Sequence, residues 1–251
     1  MEVHSHTHTP RKKWTHYFWE FLMLFLAVTL GFFVENQREH FIEHKREKEY
    51  IRSLITDLAR DTVHANIHLR GNIQKFHGLD SLAELLFNEA PIDSAKTSRL
   101  YELSFRYARN TSFVVTNEIT IQQLLSSGNV RLLRTKGVYD SLVLYQLKKA
   151  LVSNTVAAYD EIFKNIMSYN ENIFSVREYR KIIMNSDTSF SRISNVRYMP
   201  LLTTDRSKLI KYAESIELYR AVISTYTQNL RNVKRSAINL LVFLKKEYHL
   251  D

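Results

Sequence analysis

Apolar residues fill positions 17–34 almost without interruption, Glu20 being the single charge in an 18-residue stretch. At 1.5 Å per residue a helix of that length covers about 27 Å, close to the hydrocarbon thickness of a bilayer. Downstream the pattern turns periodic. Ile51, Leu54, Ile55, Leu58, Thr62, Ala65, Leu69 and Ile73 recur at intervals of three and four, which predicts a long juxtamembrane helix running straight on from the apolar stretch. Gly78 and Pro91 then punctuate the chain and predict a separate short helix over residues 80–88. Asp93 or Ser94 caps the next helix, to about residue 109, and another runs from about residue 116 to the Ser126-Ser127-Gly128-Asn129 turn. Val138, Leu142, Tyr145, Val152, Val156, Tyr159, Phe163, Ile166 and Ile173 mark a helix of about 40 residues. Residues 185–200, rich in serine and asparagine, read as the longest loop. The last pattern is the most regular: Leu209, Tyr212, Ile216, Tyr219, Ile223, Tyr226, Leu230, Val233, Ala237, Leu240 and Leu244 alternate steps of three and four. A seam of that length wants a partner helix along all of it. The expected fold is all-α: a transmembrane helix over residues 14–36 continuing into the juxtamembrane helix, then an antiparallel bundle of about four helices within residues 37–251.

The edges of the apolar stretch support a signal-anchor span. Trp14 and Trp19 stand at its start, where amphipathic rings favour the headgroup level, and Glu35, Asn36, Gln37, Arg38 and Glu39 end it abruptly. A cleaved signal peptide is the rival, since Arg11, Lys12 and Lys13 precede the apolar core, but no small-x-small pattern follows it. The basic cluster at residues 11–13 abuts the span with no adjacent acid, whereas the bases after the span are mixed with glutamates. The expectation is therefore a cytoplasmic tail over residues 1–13 and a bundle on the other side of the membrane. With no second span before Asp251, a self-contained signal transducer is disfavoured.

Composition narrows the alternatives. Five glycines and three prolines are too few for the turns of an all-β fold, and the absence of cysteine removes disulfides, thiolate metal sites and a cysteine nucleophile. The formal charge is +9, yet the bases are interspersed with acids on every predicted helix. That pattern fits a solvated surface or an anionic lipid better than nucleic acid, so no nucleic-acid partner is expected. No two glycines stand closer than seven residues, so no phosphate-cradling loop is present.

One resemblance follows from these features. The basic tail, the span ending in Gly-x-x-x-x-Asn-Gln at residues 31–37, the Lys- and Glu-rich helix after it and the Ser-Ser-Gly-Asn-Val-Arg-Leu-Leu turn at residues 126–133 together resemble an uncharacterised family of bacterial single-span membrane proteins with a helical extracytoplasmic domain. The likeness covers roughly residues 14–150. It implies the inner membrane as location and brings no catalytic or ligand-binding residues with it.

Several constellations carry potential chemistry. His40, Glu43 and His44 match H-x-x-E-H, in which two histidines one turn apart bind zinc and the glutamate acts as base. A third ligand and a cleft are not evident nearby, so a solvated helix face is the expected reading and a zinc hydrolase the distant one. His64 and His68 are read as surface residues in the same way, while His4, His6 and His8 could hold a divalent metal loosely but are expected to lie in a disordered polar tail. Tyr212, Tyr219 and Tyr226 fall seven apart on the seam, either lining a ligand cavity or filling a core with their hydroxyls reaching its edge. Within the span Ala27 and Gly31 form a small-x-x-x-small pair, and Glu20 lies one turn in, a face suited to helix association. The function expected is a membrane-anchored, non-enzymatic scaffold or interaction protein of the bacterial envelope, without a cofactor. Its partners would be membrane lipid and a second copy or other envelope proteins. The alternative is a ligand-binding module built on the tyrosine layers.

Overall fold

The computed structural model describes residues 14–110, 119–126, 128–133, 135–185 and 199–250. Among them are helices and turns but no strand, and the protein is all-α. The elements are α1 (Trp14–Phe87), α2 (Ser94–Leu103) with a π-helical turn (Ser104–Ala108) at its end, α3 (Ile119–Ser126), a 3-10 turn (Asn129–Leu132), α4 (Val138–Ile173), α5 (Val176–Asn185) and α6 (Arg206–Tyr248). The chain divides into two compact units, Met1–Ile51 and Arg52–Asp251, and α1 contributes to both. The expected tail at residues 1–13, with Arg11, Lys12 and Lys13, lies outside the described residues, as does most of the expected 185–200 loop.

In the first unit α1 presents its apolar stretch outward. None of its most apolar 18-residue window is buried, and Phe21, Phe25 and Phe32 are 64%, 55% and 74% exposed. The stretch is long and apolar enough to cross a membrane, and none of that window is buried among the described residues. Thr29 donates its hydroxyl hydrogen to the Phe25 carbonyl (2.7 Å), which satisfies a polar side chain inside the apolar run. At its polar edge Arg38 and Glu35 pair at 2.6 Å.

The second unit is a bundle whose directions are set by pairs along its length. Tyr145 and Tyr159 of α4 reach Asp61 and Lys75 of α1, so these two helices run the same way. Tyr219 of α6 meets Lys75 while Arg206 meets Leu86, so α6 runs against both. The fourth position is filled by a broken descending strand of helix. Asp93 caps α2 by accepting from the Lys96 amide (2.7 Å), and the chain then passes Ser104, level with Tyr212, and Asn110, level with Lys75. It reaches Thr120 in α3, level with Asp57. The arrangement is up-down-up-down. All eleven seam residues of α6 are buried, as their spacing predicts.

The structure departs from the sequence reading at Gly78. No break occurs there: α1 continues through Gly71 and Gly78 to Phe87, and the separate helix expected over residues 80–88 is its last turns. A helix-interior glycine costs about 1 kcal/mol relative to alanine, and packing explains its presence. A β-carbon at residue 78 would collide with the ring of Tyr107, which the π-helical turn presses onto α1. Gly128 takes the left-handed conformation expected of it, with φ 69°, and Gly137 before α4 does so too, with φ 88°.

Candidate functional site

The interior of the bundle carries three polar layers separated by apolar ones. At the end where residue 52 enters, Asp57 accepts from the Thr120 hydroxyl (2.5 Å) and Asp61 from the Tyr145 hydroxyl (2.8 Å). Lys149, buried, places its ammonium 5.5 Å from the Tyr145 ring centre. An apolar layer of Ala65, Leu69, Tyr226 and Leu230 follows, flanked by Val152 and Val156.

The middle layer is built on Lys75. Its Nζ donates to the hydroxyls of Tyr159 (2.9 Å) and Tyr219 (2.7 Å) and to the carbonyl of Asn110, and the two hydroxyls are hydrogen-bonded to each other. The partners are thus all formally neutral. Burial pushes the lysine down to about 7. Tyr159 and Tyr219 are pushed upward, first by burial, with Tyr159 raising Tyr219 further. One turn before Lys75, Asn72 is also buried, and its Nδ2 has no hydrogen-bond partner among the described residues.

The third layer centres on Asn170, whose Nδ2 donates to the Ser104 hydroxyl (2.5 Å) and the Tyr212 hydroxyl (3.0 Å) while Oδ1 accepts from Arg109 (3.2 Å) and Tyr179 (3.3 Å). Ser104 opens the π-helical turn, whose widened backbone brings this hydroxyl and Arg109 to the same amide. The Arg109 guanidinium lies 4.4 Å from the Tyr179 ring centre. Burial raises Tyr212 to about 12 despite its bonds to Ser104 and Asn170. The arrangement therefore satisfies buried hydroxyls and an amide with one another, which fixes the packing register of four elements.

The residues singled out from sequence occupy varied settings. Tyr212, Tyr219 and Tyr226 are buried, and the hydroxyls of Tyr212 and Tyr219 point into polar layers, not to the bundle edge. His40 is half-exposed with Nδ1 3.9 Å from Glu43, while His44 lies 3.4 Å from Glu47, so each histidine turns to a carboxylate one turn along the helix. Among the described residues no group of three or more His, Asp and Glu side chains is placed to hold a metal ion. His64 is exposed and His68 partly buried, burial and then the His64 charge lowering its pKa. Trp14, Trp19, Glu20, Ala27 and Gly31 are all exposed along the apolar stretch, and a β-carbon on Gly31 would meet nothing within 4 Å. Sequence reasoning missed Lys75, Asn72, Asn170 and Ser104. The signal was there in part: Asn72 and Lys75 stand where the buried face of α1 passes, and Ile73, assigned to that face, is 42% exposed.

Outside the interior, α4 carries an uncovered apolar row. Leu144, Leu147 and Leu151 follow at steps of three and four and are 51%, 59% and 48% exposed. No family model, no curated protein and no solved structure matches the chain.

Proposed function

We propose that this protein is a membrane-anchored, non-enzymatic helical scaffold of the bacterial inner membrane, with its N-terminus in the cytoplasm and its bundle docking other envelope proteins or a second copy. The observation that carries the reading is the uncovered row Leu144, Leu147 and Leu151. Three large apolar side chains in line on a well-packed bundle are what a partner helix covers. Two further features support it. The apolar stretch of α1 is wholly unburied, as lipid contact requires. The tyrosine, serine and asparagine groups of the middle and third layers are hydrogen-bonded to one another, as in a packed core. The envelope location rests on the resemblance of residues 14–150 to bacterial single-span proteins.

A photoreactive residue at position 147, with the full chain in its own membranes, tests the reading. The expected result is a discrete protein adduct, either a dimer of this chain or a heteroadduct. The same probe at Ser153, also exposed on α4, should not give it. Illumination that yields no protein adduct at position 147, or equal adducts at both positions, contradicts docking through this face.

A further inference from the structure

At the end of the bundle where α1 stops, a cavity of about 310 Å³ opens between the last turn of α1, the connection to α2 and the start of α6. That volume is at the lower end for small-molecule sites. Its lining is mixed: Leu85, Leu86, Ile92, Leu100 and Leu209 supply the apolar part, and two cations stand on it, Lys96 and Arg206.

Both cations cap the C-terminal carbonyls of α1, where the helix dipole favours positive charge. Lys96 Nζ donates to Asn88 O and Ala90 O (both 2.9 Å), and Arg206 donates through Nη1 to Leu86 O (2.5 Å) and Asn88 O (3.3 Å) and through Nη2 to Phe87 O. Because they share the Asn88 oxygen, the two cationic nitrogens lie no more than about 6 Å apart. Two positive charges at that distance repel, and carbonyl oxygens neutralise neither. Glu89 also borders the cavity, and the Asp93 carboxylate at the α2 cap offsets part of the Arg206 repulsion on Lys96, but among the described residues no carboxylate stands within ion-pair distance of Lys96 or Arg206. The donor count leaves room for a ligand. Among the described residues, Lys96 keeps one N–H beyond its two bonds, and Arg206 keeps its Nε–H and one Nη2–H, a pair able to form a side-on fork to both oxygens of a carboxylate.

We propose that this cavity binds a small carboxylate bearing one compact apolar group, the carboxylate seated between Arg206 and Lys96 and the apolar group against Leu100 and Leu209. The same chemistry is offered by a free organic acid and by the C-terminal residue of a polypeptide. Inorganic phosphate would use the cations but leave the apolar walls empty, so a site of this shape discriminates against it.

The test is titration of the full chain in a non-ionic detergent, followed by calorimetry or ligand-observed NMR. The probes are phenylacetate, phenylacetamide, inorganic phosphate and the tetrapeptide Ala-Ala-Ala-Phe with a free or amidated C-terminus. Saturable binding of phenylacetate, with the neutral amide at least about tenfold weaker, is the expected result. Binding of the free-ended but not the amidated peptide assigns the source to a chain terminus, and binding of phenylacetate alone assigns it to a free acid. Arg206→Gln should weaken phenylacetate by about tenfold or more. Since Arg206 also caps α1, Ile92→Trp supplies a second arm that fills the cavity and touches neither cation, and it too should abolish binding while the helical melting curve stays cooperative. No saturation by about 10 mM, equal binding of the amide or of phosphate, or unchanged binding in Ile92→Trp would overturn the proposal.

Discussion

Lys75 is a charge-capable side chain held by two phenols and a carbonyl in the middle of a bundle, and its consequence is a pH dependence of unusual sign. The unfolded lysine titrates near 10.4, whereas burial holds the folded one at about 7. Between those values the unfolded chain binds more protons, so stability rises with pH by up to about 1.4 kcal/mol per unit, and below the window the contribution is flat. The raised tyrosines act in the opposite direction. Above about pH 10 the unfolded chain loses phenolic protons that the fold retains, and stability falls again. Urea midpoints measured from pH 6 to 11 should therefore climb, peak near pH 10 and decline, and Lys75→Met should remove the climb. A flat profile through pH 7–10 in the parent would contradict the layer. Gly78 makes a second prediction at this scale. Gly78→Ala should destabilise by about 1–2 kcal/mol, because the methyl group meets the Tyr107 ring. Gly71→Ala, with nothing within 4 Å, should stabilise by up to about 1 kcal/mol. In a Tyr107→Ala background the sign at residue 78 should reverse, as read by thermal melts.

Among the elements, α6 is the organiser. Its seam is buried from Leu209 to Leu244, so Ile223→Asp, which places an unpartnered carboxylate in the core, should cost about 3–5 kcal/mol or prevent folding. An aspartate variant that melts with the parent would mean the seam is not core. This helix was legible in the sequence because an apolar period of 3.5 is a strong signal when every position obeys it. So was the left-handed turn at Gly128, where glycine is favoured, while the cap of α2 was legible only as Asp93 or Ser94. The end of α1 was not legible, because a glycine demanded by a neighbouring ring looks identical to a glycine that stops a helix. The polar layers were hidden for a related reason: Lys75 and Asn72 interrupt the apolar period of α1, and only the tyrosines and the Asn110 carbonyl brought from other elements explain the lysine. Likewise the cavity between Lys96 and Arg206 joins residues more than a hundred positions apart, a juxtaposition no local pattern records.

At the scale of the whole molecule, one chain carries a stretch suited to lipid and a bundle suited to water. The stretch is unburied throughout its most apolar window, while the bundle buries its α6 seam and hydrogen-bonds Asn170, Ser104 and Tyr212 to one another in its interior. We propose that the stretch finds its apolar surroundings in a membrane, and the account stands on that. The chain has no cysteine, so single cysteines report alone. The decisive measurement places one at Ser5, before the stretch, or at Ser153, exposed on α4, and applies a membrane-impermeant thiol reagent to spheroplasts. Labelling of Ser153→Cys in intact spheroplasts, with Ser5→Cys labelled only after lysis, is the predicted result. Labelling of both positions without lysis would show that the stretch does not span the membrane, and labelling of Ser5→Cys alone would place the bundle in the cytoplasm; either outcome contradicts the account.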